Sequence, residues 1–140
     1  MQRIGSARWV GDLKQGKGTV KFSGGAFEGQ YSFGTRFENG VGTNPEEMIA
    51  AAHASCFSMA LSAALSAAGH VPVSVATTAT VDLNKVGAGF AITGILLETV
   101  VAAPGLTADK LATIGADAKT NCPVSKALAA VPITLKATLA

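Results

Sequence analysis

No formally charged residue occurs between Met48 and Val81, and this stretch constrains the fold more than any other feature of the chain. It excludes intrinsic disorder, which requires low hydrophobicity and high net charge. Its first part, residues 48–69, is long enough to cross a bilayer. That part is mostly Ala and Ser, however, and has neither a Lys/Arg cluster nor a Trp or Tyr at its ends. We therefore predict a helix buried on nearly all sides in protein, and no membrane association.

The low charge of the whole chain predicts a partner. Only 14% of the 140 residues are charged, against about 25% in an ordinary soluble domain, so a monomer of this size would be thinly solvated. The net charge of +2 includes no basic stripe, which argues against nucleic-acid binding. The length predicts one domain over residues 1–140. The N-terminus lacks the apolar run of a signal peptide, so we expect a cytoplasmic protein.

Periodicity and capping signals predict an α+β fold with the order β-β-β-α-β-β-α-α-β. The long helix starts after an N-cap at Thr43 or Asn44 and stops at Gly69. The predicted strands cover 7–12, 17–23, 31–38, 73–83, 90–101 and 133–139, and the helices cover about 45–68, 107–120 and 123–130.

Two cysteines stand in different settings. Cys56 lies in the middle of the long helix, and Cys122 lies before Pro123, which disfavours helical geometry at Cys122. A permanent disulfide is uncommon in a reducing compartment. Each cysteine is therefore either a chemically reactive thiol or an inert core residue.

A peroxide-reducing thiol needs a cation that keeps it ionised, a carboxylate that orients the cation, and a second thiol that resolves the sulfenic acid. Arg36, on the predicted third strand, and Glu46, in the first turn of the long helix, are candidates. Ten residues of straight helix place Glu46 roughly 15 Å from Cys56. A site that uses both needs Arg36 as a bridge, or needs two subunits.

Two non-peroxidase alternatives remain open at this point. His53, Cys56 and Cys122 offer three zinc ligands, although no CxxC pair is present. Alternatively, the chain is a non-catalytic binding dimer in which Cys56 is a core residue and Cys122 is incidental.

Four segments of the sequence together match the pattern of a known family: GTRFE at 34–38, GTNPEE at 42–47, AAHASCFSMAL at 51–61 and NCPVS at 121–125. With these segments the sequence resembles the OsmC/Ohr superfamily, and within it the osmotically inducible protein C branch, over the whole chain. The one departure is Gly34, where the branch often has Asn.

The resemblance implies an OsmC-like fold, with antiparallel β-sheets and a long buried central helix, assembled as an interwoven homodimer. It implies a thiol-dependent peroxidase that reduces organic hydroperoxides, and hydrogen peroxide more weakly, in oxidative and osmotic stress defence. Cys56 would be the peroxidatic thiolate and Cys122 the resolving thiol. Arg36 would stabilise the thiolate and lower the pKa of Cys56, and Glu46 would orient Arg36. No bound cofactor or metal is implied, and the reductant would be an external dithiol, either small or a lipoylated protein.

Overall fold

The computed structural model describes all 140 residues, which form two compact units, Met1–Met48 and Ile49–Ala140. The element order is β-β-β-α-α-β-β-α-α-β, so the predicted α+β class is confirmed and one short helix is added. The prediction of a single domain over residues 1–140 stays a prediction.

The first unit contains an antiparallel sheet of three strands in the order β1-β2-β3. Gly18 lies opposite Trp9 on one side and Tyr31 on the other. A Cβ atom at Gly18 would collide with the Tyr31 ring. The glycine thus leaves room for that ring, whose centroid lies 5.4 Å from that of Trp9. The strands are β1 (Gly5–Val10), β2 (Lys17–Phe22) and β3 (Glu28–Ser32).

The predicted third strand, residues 31–38, is wrong beyond Ser32, because helix α1 (Phe33–Phe37) follows directly. Ser32 and Thr35 form a capping box that starts this helix. The Thr35 N–H donates to Ser32 Oγ at 3.2 Å, and the Ser32 N–H donates to Thr35 Oγ1 at 2.8 Å. This local hydrogen bonding prevails over the alternation of aromatic and polar residues that indicated a strand.

The alternating aromatic residues of this segment are paired on the helix instead. Phe33 and Phe37 lie one turn apart, with their ring centroids separated by 4.9 Å. Arg36 therefore projects from a helix and not from a strand as predicted, and its guanidinium lies over the Phe37 ring, 5.3 Å from the centroid.

The long predicted helix is confirmed as α2 (Pro45–Ala67). Of the two predicted N-caps, Asn44 makes the capping bond, because its Oδ1 accepts from the Glu47 N–H at 2.8 Å. At the other end Gly69 adopts a φ of 84°, a conformation that favours glycine, and the chain leaves the helix there as predicted.

Within the single chain, helix α2 buries only one face. The predicted burial on nearly all sides is not reached there. His53, Phe57, Leu61 and Leu65 recur every four residues and are fully buried. Ala and Ser occupy most other positions, so the sequence carries no polar stripe that would have revealed which face is open. By length and composition the helix could cross a membrane. Within the chain, 22% of its most apolar 18-residue stretch is buried.

The second unit contains a mixed three-stranded sheet in the order β4-β5-β6. Strands β4 (Ser74–Val86) and β5 (Gly89–Ala102) form the predicted antiparallel hairpin. The pairing of β5 with β6 (Ile133–Leu139) is parallel, so the prediction of purely antiparallel sheets is wrong for this pair. Two helices form the crossover that a parallel pair requires.

These crossover helices are α3 (Ala108–Asn121) and α4 (Pro123–Ala127), and both were predicted. The Thr107 side chain accepts from the Lys110 N–H and caps α3 as expected. A core of buried side chains joins α2, β5 and α3 within this unit. Its members are Phe57, Leu61, Leu65, Leu97, Val101, Leu106, Leu111, Ala118 and Cys122.

Leu61→Ala should lower the free energy of unfolding by about 2–5 kcal/mol, because a fully buried leucine is truncated and leaves a cavity. Urea unfolding followed by circular dichroism measures this change. Val86→Ala, at an exposed position near the hairpin tip, should shift the free energy by no more than about 0.5 kcal/mol. Equal losses in the two variants would contradict the assignment of the buried face of α2.

Candidate active site

The fold brings the two cysteines together across 66 positions of sequence. Their Sγ atoms lie 3.3 Å apart and share a hydrogen bond, and both are free thiols. Cys122 is fully buried, whereas Cys56 is partly exposed. The pair therefore has one sulfur that small molecules can reach and one that the protein encloses.

Local signals in the sequence place each thiol. Cys56 precedes Phe57, whose burial in the core fixes the rotation of α2. The Cys122 N–H donates to the Ala118 carbonyl at 2.8 Å and closes α3, while Pro123 begins α4. The backbone of Cys122 has φ −58° and ψ 123°, which confirms the predicted non-helical junction.

The two thiols have opposite electrostatic settings. Burial opposes ionisation of Cys122, but its pKa is lowered overall by hydrogen bonds from the Ser125 N–H, the Cys56 thiol, the Ser125 hydroxyl and the Val124 N–H. The pKa of Cys56 is raised, first by burial and then by the adjacent Cys122 sulfur, against a hydrogen bond from the Val124 backbone. Within the single chain the pKa of Cys56 is thus raised, and its expected lowering by Arg36 stays a prediction.

A buried histidine on α2 contacts a serine that lies three residues after the buried Cys122. His53 Nε2 lies 2.8 Å from Ser125 Oγ, and both side chains are buried. Burial lowers the pKa of His53, which favours the neutral ring. From the sequence, His53 was a possible zinc ligand or a residue that makes a local hydrogen bond inside the protein. Ser125 was not predicted as a site residue, and its one signal in the sequence was its place in the NCPVS segment, three residues after Cys122.

The predicted arginine and glutamate form an ion pair in the first unit. Arg36 donates to Glu46 through Nε at 3.2 Å and through Nη2 at 2.8 Å. This two-bond geometry holds the guanidinium in one plane. Glu46 is buried and Arg36 is partly exposed, so the carboxylate is covered while the cation keeps an open side.

An apolar cavity of about 280 Å³ lies beside Arg36 in the first unit. The cavity is not readable from the sequence, because its walls come from β1, the turn after it, β3, α1 and the first residue of α2. It is lined by Trp9, Leu13, Tyr31, Ser32, Phe33, Arg36, Phe37 and Pro45.

The zinc alternative lacks a ligand set in this structure. No three side chains of His, Cys, Asp or Glu come together as a group that could hold a metal ion. His53 Nε2 faces Ser125.

The chain is similar to known proteins of one family. Residues 37–136 match the family model of OsmC-like proteins. A Peroxiredoxin OsmC from Escherichia coli strain K12 is 56% identical over 131 residues, covering 93% of this chain and 92% of the relative. An organic hydroperoxide resistance protein from Xanthomonas axonopodis pv. citri is 36% identical over 89 residues, covering 63% of this chain and 61% of the relative.

The fold has counterparts among solved structures. The crystal structure of the organic hydroperoxide resistance protein OhrB of Bacillus subtilis has a TM-score of 0.77 and 24% identity, covering 100% of this chain and 98% of that one. At this identity the likeness shows the fold alone, and it confirms the predicted OsmC-like architecture. An α+β fold that joins two thiols thus defines the class of the protein. The chain belongs to the family of OsmC-like proteins.

The reduced protein should lose its two thiol protons in separate steps, because two thiolates 3.3 Å apart repel each other. In Cys56→Ser the remaining thiol, Cys122, should still titrate below the usual value of about 8.5, since the Ser125 and Val124 donors remain. The ultraviolet absorbance of the thiolate as a function of pH measures both. Titration of that variant at or above the usual value would contradict the assigned hydrogen bonds.

Proposed function

We propose that this chain reduces organic hydroperoxides, and hydrogen peroxide more slowly, through Cys56 and Cys122, as a defence against oxidative and osmotic stress. An OsmC-like protein with two neighbouring thiols is a thiol-dependent peroxidase. The observation that carries the proposal is the 3.3 Å approach of an accessible sulfur to a buried one. An accessible thiol can meet a peroxide, and an adjacent thiol can resolve the product.

In the first step the Cys56 thiolate attacks one peroxide oxygen, the O–O bond breaks, and an alcohol leaves after protonation. Cys56 becomes a sulfenic acid. The Cys122 thiolate then attacks the Cys56 sulfur, forming the disulfide and releasing the sulfenic oxygen as water. A dithiol reductant restores both thiols and is itself oxidised to a disulfide.

Arg36 is the proposed cation for the Cys56 thiolate, delivered by the same chain or by a second copy. Its charge would counter the burial that raises the pKa of Cys56 in the single chain. The two hydrogen bonds to Glu46 support this role, because they fix the guanidinium before the substrate arrives.

The preference for organic peroxides is supported by the cavity beside Arg36. Its walls are mostly aromatic and aliphatic side chains, including Trp9, Tyr31 and Phe33. Such a surface accommodates an alkyl or aryl group that hydrogen peroxide lacks. An apolar substrate group beside the cation would direct the peroxide oxygens toward the charged part of the site.

A homodimer is proposed because the chain leaves apolar surface of α2 uncovered. Met59 on this helix is 74% exposed, and Val73 beyond it is 79% exposed. Both line one groove of about 500 Å³ in the second unit. A second copy of the chain is the proposed cover, in agreement with the low charge content. We place the protein in the cytoplasm, with a small dithiol or a lipoylated protein as reductant.

Cys56→Ser should abolish the reduction of tert-butyl hydroperoxide in the presence of a dithiol, because no sulfenic acid can form. Cys122→Ser should consume about one equivalent of peroxide and then stop or over-oxidise. Peroxide consumption and intact mass measure these outcomes. Ser58→Ala, which removes a hydroxyl bonded only to Thr77, is the matched control for a truncated side chain in the second unit. Turnover by Cys56→Ser at the wild-type rate would overturn the proposal.

Light scattering after gel filtration should give twice the mass of one chain for the wild type. Met59→Glu should shift the equilibrium toward the monomer, because a carboxylate would be buried without a partner at the interface. Thr113→Glu adds the same charge at an exposed position of α3 and should keep the wild-type mass. A wild-type monomer at micromolar concentration would contradict the dimer.

A further inference from the structure

A second side-chain contact joins the same two segments of chain as the sulfur pair. His53 Nε2 lies 2.8 Å from Ser125 Oγ, and the two cysteine Sγ atoms lie 3.3 Å apart. On α2 the histidine comes three residues before Cys56, and the serine comes three residues after Cys122. Residues three apart lie on one side of a helix. The histidine–serine bond therefore links α2 to α4 about one helical turn away from the thiols.

This bond lies in the interior of the chain. His53 is 0% exposed and Ser125 is 6% exposed. The other ring nitrogen, His53 Nδ1, is buried without a partner, so the ring makes its side-chain hydrogen bond to the serine alone. Removing either member would leave the other as a buried polar group without a partner, which costs more than the loss of an exposed bond. The bond is thus a firm connection between the two helices.

Helix α4 depends on such connections to keep its place. It has only five residues, Pro123–Ala127, and a helix this short is not stable by itself in water. Cys122 is its N-cap residue and makes no side-chain capping bond. Two side chains of α4 anchor it: Val124 packs against the core, and Ser125 is bonded to His53. The position of the Cys122 sulfur therefore depends on how α4 is held.

We propose that His53 and Ser125 are positioning residues for disulfide formation: their hydrogen bond holds α4 against α2 and keeps Cys122 within reach of Cys56. The proposal rests on the disulfide of the proposed function and adds two residues to it. The bond governs the placement of Cys122, and it leaves the charge of the Cys56 thiolate to Arg36.

Placement matters because two reactions compete for the sulfenic acid on Cys56. In one, the Cys122 thiolate attacks Cys56 Sγ, the S–O bond breaks, the oxygen leaves as water after protonation, and the disulfide forms. In the other, a second peroxide molecule transfers an oxygen atom to Cys56 Sγ, which yields a sulfinic acid and an alcohol. Only the first reaction depends on how often the two sulfurs are in contact. A loosened α4 would therefore favour over-oxidation.

The placement of the sulfurs can be measured without any peroxide. Equilibration with mixtures of reduced and oxidised glutathione gives the effective concentration of one thiol at the other. His53→Leu should lower this concentration about fivefold, because one hydrogen bond is lost. His53→Gln places an amide near the position of Nε2 and should stay within about twofold of wild type. Ser58→Ala removes a different 2.8 Å hydroxyl hydrogen bond of α2, to Thr77, and should keep the wild-type value.

A double-mutant cycle assigns the loss to the bond itself. Ser125→Ala should lower the effective concentration as His53→Leu does, and the double variant should lose less than about twofold more than either single variant. A wild-type effective concentration in either single variant, or fully additive losses in the double variant, would overturn the proposal.

A peroxide pulse followed by intact mass spectrometry measures the consequence for catalysis. Both single variants should form more sulfinic acid than the wild type, while the first oxidation of Cys56 stays within about twofold of the wild-type rate. Unchanged sulfinic acid yields would contradict the proposed role. Failure of the wild type to consume peroxide would instead overturn the proposed function, and the glutathione equilibrium would still test the bond.

Discussion

The packing of one face of α2 into the second unit determines the chemistry of this protein. Phe57, Leu61 and Leu65 are buried together with side chains of β5 and α3, and this fixes the rotation of α2 about its axis. The same rotation turns Cys56 toward the α3–α4 junction and His53 toward α4. The thiol pair and the histidine–serine pair are therefore consequences of a single hydrophobic contact surface.

Much of the fold was readable from local signals because local interactions set those parts of the chain. Asn44, Pro45 and Gly69 mark the ends of α2, and Pro123 marks the break at Cys122, all as predicted. The signals failed where distant contacts or competing local bonds decide. The capping box at Ser32 turned a predicted strand into α1, and the parallel pairing of β6 depends on a partner strand far away in sequence.

The candidate site was likewise predictable only in part: its residues could be named from the sequence, and their electrostatics could not. Residue types and motif spacing singled out Cys56, Cys122, Arg36 and Glu46, and the structure joins them as two pairs, one in each unit. Their electrostatics were not readable, because the pKa of a thiol depends on donors that only the fold assembles. The Ser125 hydroxyl and two backbone N–H groups favour charge on Cys122, a sulfur for which the sequence contains no cationic neighbour closer than Lys119.

The distance in sequence between the two sulfurs links the redox state to the stability of the fold. A bond between Cys56 and Cys122 closes a loop across 66 positions. Restricting the unfolded chain in this way is worth about 4 kcal/mol by loop-closure entropy. With the proposed disulfide, each oxidation would make the protein harder to unfold, and each reduction would return it to a less stable form. Under oxidative conditions the chain would accumulate in its more robust state, so the chemistry that removes a damaging oxidant also protects the protein that performs it.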